Sequence, residues 1–310
     1  MLSPSEVEFL RKSGYCFLHD TRLNSILDGE PFVRDGFVVY YDGRRMMLCG
    51  YPLHRDGVDA RERLREVVRQ CLSNWVVEIL WHVGPERLSL QNVRPRLPVL
   101  RTWKPTKRDT EMVIDCHQDP PSQRLCRWLR SPKRTPFRIG TIPAGELRSA
   151  HYEMIDTFFR SKVATPFLFN LACQVMLLTT APCGLWLEVC DGDRLAGLAA
   201  LVESFDSMCL AVFQATNPDF PTAGDTLHAA MRELVLSKGK RYLNLGSSPG
   251  EGHYRFKKKW GGVPHHSPAW WQAWGSGELT RSENDSWPSR LLTARVRRSS
   301  SNAQVHRRGS

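Results

Sequence analysis

Apolar and polar positions follow two rhythms along this chain. Residues 37–53, FVVYYDGRRMMLCGYPL, hold two apolar runs around Asp42-Gly43 and predict a β-hairpin. DARERLREVVRQCL follows with apolar residues at helical spacing and Asp59 as a cap. WVVEILWHVG, LPVLRTW and EMVIDC then read as strands, so the first half predicts mixed α/β structure.

The second half is more regular. AGELRSAHYEMIDTFFRSK and PFLFNLACQVMLLTTA predict two helices. LWLEVCDGDRLAGLAALVES predicts a hairpin turning at Asp191-Gly192-Asp193, and MCLAVFQAT a further strand. AGDTLHAAMRELVLSKG predicts a helix with Asp225 as N-cap and Gly239 past its end. YLNLG is a strand, PGEGHYRFKKKWGG contains a short helix, and PAWWQAW is a last strand. Residues from about 276 onward have little to bury and predict a disordered basic tail.

Composition narrows the class. The 310 residues are 41% hydrophobic and 24% charged, which suits a globular protein. No apolar run reaches about 18 residues, and the N-terminus lacks the order of a signal peptide, so a cytoplasmic protein without integral membrane association is expected. The nine cysteines form no CxxC pair and read as reduced and mostly buried, with no metal site. The net charge of +11 points to a polyanionic partner. The tail after 275 supplies +4 of it, through seven arginines against Glu278, Glu283 and Asp285. The segment 101–138 is also basic. SQRLCRWLRSPKR places Arg124, Arg127 and Arg130 toward one helical side, with Arg134 beyond, as a solvated face or a phosphate groove.

The densest chemistry lies in YLNLGSSPGEGHYRFKKKWGG, residues 242–262. It is not a Walker loop, because Glu251 stands five residues after Gly246. Nor is it a dinucleotide fingerprint, because Gly250-Glu251-Gly252 is followed by Arg255. Strand, Gly-Ser-Ser, glycine-rich turn, Phe-Lys, spacer and Trp-Gly together resemble the closing motif of the Fem-type aminoacyltransferases and related GNAT-like N-acyltransferases. The matching residues are Leu245, Gly246, Ser247, Phe256, Lys257, Trp260 and Gly261. The order of elements from about residue 148 to Trp274 is similar to that family's catalytic domain.

The resemblance implies an α/β fold of tandem GNAT-like domains with mixed, mostly antiparallel sheets. Residues 1–141 would form an N-terminal GNAT-like domain and 142–275 a C-terminal catalytic one. It implies that an amine attacks an activated acyl carbonyl, with Lys257 as the cation at the oxyanion or leaving oxygen. Phe256 would pack beneath it and Trp260 would anchor the short helix. Gly246, Ser247 and Ser248 would line the site, with Lys258 and Lys259 solvated or facing donor phosphates; Arg127 and Arg134 of the basic stretch suit the same donor. Glu251 and His253 share the turn and are the candidate bases, beside plain structural roles. Lys257→Ala is expected to leave the fold intact, since a lysine in a short helix is rarely a core residue.

The donor is read from one further segment. GNAT enzymes that use coenzyme A carry a glycine-rich turn that holds pyrophosphate. Here ATNPDFPTAGDTLHAA has Gly224 alone, followed by acidic Asp225. That favours aminoacyl-tRNA over acyl-CoA, with no permanently bound cofactor and an amine-bearing small molecule, peptide or cell-wall precursor as acceptor. A non-catalytic nucleic-acid-binding protein is the alternative from another class, and it rests on charge.

Overall fold

The computed structural model describes residues 2–24, 30–34, 36–41, 46–49, 62, 66–67, 82–83, 99–103, 110–130, 137–162, 166–248, 250–268 and 270–273. The expected disordered tail, Arg134 and nearly all of the helix read at 59–72 lie outside them.

The chain opens with helix α1 (Pro4–Ser13), started by a capping box between Ser3 and Glu6. A short 3-10 turn (Phe17–His19) and helix α2 (Thr21–Asn24) follow. Strands β1 (Glu30–Arg34), β2 (Phe37–Tyr41) and β3 (Met46–Cys49) form an antiparallel sheet of their own. The pairing Val38↔Cys49 to Tyr41↔Met46 is the hairpin expected around Asp42-Gly43. Then come β4 (His82–Val83), β5 (Val99–Trp103), β6 (Glu111–Asp115) and helix α3 (Gln123–Arg130). Strand β7 (Arg138–Pro143) leads to helices α4 (Ser149–Arg160) and α5 (Pro166–Leu178). The remainder is β8 (Gly184–Asp191), β9 (Arg194–Phe205), β10 (Met208–Thr216), α6 (Ala223–Ser237), β11 (Tyr242–Asn244), α7 (Glu251–Lys259), β12 (Val263–Pro268) and β13 (Trp270–Ala273).

An eight-stranded sheet organises the molecule, in the order β4-β12-β6-β11-β10-β9-β8-β7. All its neighbours are antiparallel except β10 and β11, which run parallel. A parallel pair needs a crossover, and α6 supplies it. The boundary expected between 141 and 142 runs through β7, and β4 and β6 from before it lie in the same sheet as β8–β12.

Both faces of the sheet are covered. Leu198, Ala200 and Val202 of β9 join one core with Ile155, Val175 and Leu178 from α4 and α5. Ala199 and Leu201 point the other way and join Leu227, Met231 and Val235 of α6, with Leu125 of α3. This explains why β9 reads as a nearly unbroken apolar run: neither face meets water. The β8–β9 turn sits at Gly192, whose φ of 57° suits a tight hairpin. The start of α6 differs from the expectation that Asp225 is its N-cap. Thr222 is the N-cap, and Asp225 lies within the first turn.

Candidate functional site

The sheet parts at the parallel pair. β10 and β11 pair only from Met208↔Tyr242 to Leu210↔Asn244, while β10 continues to Thr216. The register of β10 against β9 shifts between Ala211 and Phe213, so a bulge begins where the β11 pairing stops. Beyond Asn244 the chain stays with β6 instead: Leu245 N–H donates to Met112 O at 2.8 Å and Met112 N–H to Gly246 O at 3.1 Å. The two parallel strands therefore part beyond Leu210 and Asn244, and the carboxyl ends of parallel strands are where α/β sheets bind ligands.

The loop after β11 turns at Gly246, with φ of 66°. A Cβ there would also stand 3.3 Å from the Phe17 ring. The backbone conformation thus favours glycine, and a methyl there would press on the Phe17 ring. Asn244, on β11, is fully buried, and its Oδ1 accepts the Gly246 N–H at 2.8 Å. Its Nδ2 donates to Glu111 Oε2 at 2.7 Å. The Phe17 N–H reaches the same carboxylate at 3.4 Å. Burial pushes the Glu111 carboxyl up to about 7, against the lowering effects of Asn244, Phe17 and Lys257. Glu111 and Asn244 are site residues that the sequence reading did not single out.

Lys257 meets the loop from α7. It is buried, and its Nζ donates to Leu245 O at 2.7 Å, Gly246 O at 3.0 Å and Ser247 O at 2.6 Å. Burial pushes its amine down to about 8, with the charge of Glu111 opposing. The expectation that Lys257→Ala leaves the fold intact is corrected here. The lysine is a core residue because its ammonium has three carbonyl acceptors inside the protein.

The other expected residues are dispersed. Phe256 is partly buried and meets His228 of α6 edge to face, with ring centroids 4.7 Å apart. Trp260 is 1% exposed and donates its indole N–H to Asp225 Oδ1 at 3.0 Å. Lys259 Nζ lies 2.7 and 2.6 Å from the two Asp225 oxygens, so this lysine holds α6 to α7 in place of facing phosphates. Lys258 is exposed. Glu251 is a surface residue bonded to Arg255 at 3.0 Å. His253 lies on the outer turn of α7, where burial first, then the charges of Lys257 and Lys162, hold it below the ordinary histidine range. Neither stands against Glu111 or the loop carbonyls through any bond among the described residues. Ser247 is half-buried, and Ser248 is buried with its Oγ unpartnered among the described residues. Arg127 is exposed on α3, whose leading turn places Pro121 Cδ 3.3 Å from a Cβ built on Gly261.

His228 is the remaining anomaly. It is 2% exposed, and neither ring nitrogen has a partner among the described residues. Burial, then the charges of Lys257, Lys259 and Arg232, push it down to about 3. It is therefore neutral, and cannot be distinguished from an ordinary apolar-face position by helical spacing alone.

Among the described residues the cysteines form no disulfide, no cluster suits a metal ion, and no helix is long and apolar enough to cross a membrane.

No protein-family model matches the sequence, and no curated protein matches it. Solved structures do. The structure of L-PGS from Bacillus licheniformis is similar with a TM-score of 0.57 at 14% identity, over 94% of this chain and 96% of that one. A crystal structure of FemX gives 0.60 at 10% identity, over 86% and 94%. A conserved protein of unknown function from Bacteroides thetaiotaomicron gives 0.60 at 10% identity, over 87% and 95%. With its mixed, mostly antiparallel sheet parted at one parallel pair, the chain has a Fem/GNAT-like α/β fold.

Proposed function

We propose that this protein is an amide-forming N-acyltransferase that takes an aminoacyl group from aminoacyl-tRNA and passes it to the amine of a small-molecule, peptide or cell-wall acceptor. The observation that carries the reading is the parting of β10 from the 245–248 loop, with Lys257 of the Phe256-Lys257 motif bonded to three carbonyls of that loop. The amine nitrogen attacks the acyl carbonyl carbon and forms the C–N bond. The carbonyl oxygen takes up negative charge, and the tetrahedral state then expels the ribose oxygen. The proton lost by the amine ends on that leaving oxygen. Fixed donors near the carbonyl oxygen are what this step requires of the protein.

Support for RNA comes from charge. The chain carries +11, and Arg124 and Arg127 on α3 are exposed with no ion pair among the described residues. Acyl-CoA is the second reading, and one observation favours it. Asp225 is paired with Lys259, so its charge no longer argues against an anion at the start of α6. Incubation with labelled charged tRNA or labelled acetyl-CoA, each with a pool of amines, decides between them. Transfer from tRNA is expected. Transfer from acetyl-CoA alone overturns the donor, and salt-sensitive RNA binding without any acyl product overturns the enzyme reading.

A further inference from the structure

The peptide units around Gly246 carry an asymmetry. In a planar trans peptide the carbonyl and the N–H point in opposite directions. No cis bond occurs among the described residues. The carbonyls of Leu245, Gly246 and Ser247 all point at Lys257 Nζ, so the N–H groups of Gly246, Ser247 and Ser248 face away from it. The first of these confirms the geometry, because the Gly246 N–H is taken by Asn244 Oδ1 on the far side. The next two have no acceptor among the described residues. Beside them the Ser248 Oγ is buried and, among the described residues, also unpartnered. Ser247 is half-buried and Ser248 buried, so of the two N–H groups the one on Ser247 belongs to the residue that solvent reaches.

We propose that Lys257 is a positioning residue, a fixed cation that aims this loop, and that the Ser247 N–H, not the lysine ammonium, binds the oxygen of the acyl group. The aiming stands on the loop geometry by itself; the identity of the oxygen rests on the acyltransferase reading above. Three carbonyl acceptors match the three protons of an ammonium, whereas a neutral amine has only two N–H donors. With all its protons engaged, the ammonium has none left for a substrate oxygen. Its charge instead favours the peptide dipoles that put their N–H ends outward. Glu111 acts through Asn244 on the opposite side, fixing the first N–H so that the turn at Gly246 stays closed.

The experiment uses the full chain labelled with nitrogen-15, without ligand. Lys257→Met keeps the length of the side chain and removes the charge, and it is expected to displace the Ser247 and Ser248 amide signals. Lys257→Gly leaves the carbonyl socket open, and methylammonium is expected to return both signals to their wild-type positions. It is added throughout purification, so that a folded sample exists even where the empty socket does not fold. Unmoved amide signals in Lys257→Met, or no recovery with methylammonium, overturn the aiming role whatever the activity proves to be.

The second arm adds 3′-aminoacylamino-3′-deoxyadenosine, a stable amide mimic of a charged tRNA end. A downfield shift of the Ser247 amide proton with an unmoved Lys257 Nζ signal is expected. A shifted Nζ signal with an unmoved Ser247 amide overturns the assignment of the oxygen. No binding of the mimic counts against the aminoacyl donor and against the placement of its oxygen, while the ligand-free arm still decides the aiming. In turnover, kcat of Lys257→Gly should fall about 100-fold with little change in KM. Methylammonium should restore it over the same concentration range that restores the amide signals.

Discussion

Lys259 and Asp225 close α7 onto α6, with the ammonium 2.6 and 2.7 Å from the two carboxylate oxygens. The contact joins α7 to the crossover helix, and the Trp260 indole bonds to the same carboxylate.

This pair sets the first expectation. The Lys259 side chain is 39% exposed, so its loss alone should cost only about 0.2–1 kcal/mol. Asp225→Ala also strands the buried Trp260 N–H and should cost about 1–3 kcal/mol. Urea denaturation of the two single variants and the double variant measures the coupling. An Asp225→Ala cost no larger than that of Lys259→Ala would mean that the indole bond contributes nothing.

Gly246→Ala should destabilise the protein by about 1–3 kcal/mol, because φ is 66° and the new methyl meets Phe17 at 3.3 Å. Phe17→Leu added to it should recover only part of the loss, since the backbone strain remains. Complete recovery in thermal melts would assign the whole effect to crowding.

Glu111 links stability to pH. Its folded-state value is raised to about 7 from 4.5, so the folded protein holds this proton more tightly than the unfolded chain. Its contribution is fully present below about 4.5 and is lost as pH rises through about 7. Glu111→Gln should remove that dependence and leave a flatter melting-temperature profile between those limits. An unchanged profile would show that the carboxyl titrates normally.

His228 acts in the opposite direction. Its folded-state value is lowered to about 3 from 6.5, so its contribution is present above 6.5 and is lost as pH falls toward 3. His228→Phe keeps a ring against Phe256 and Trp260 and removes two nitrogens that have no partner among the described residues. It should be more stable than the wild type at pH 5, by a margin that narrows above 6.5. A variant less stable at every pH would point to an unseen partner for the imidazole.

Much of the architecture was legible in the residues themselves. The span of β10, the β8–β9 turn at Gly192, the crossover helix ending before Gly239 and the short helix after Gly250 follow from local periodicity and turn chemistry. The Phe256-Lys257 motif was legible only through its resemblance to a known closing motif. What only the tertiary structure decided is which strand lies beside which. Periodicity marks a strand's apolar face but does not name its neighbour, and β6 enters the sheet between β11 and β12 from far earlier in the chain. That placement brings Glu111 to Asn244 across 133 residues, a polar pair with no local signature. It also decides the state of Lys257. A lysine reads as a surface charge from sequence, and it becomes a core residue only where folding assembles enough acceptors to replace the water its ammonium gives up.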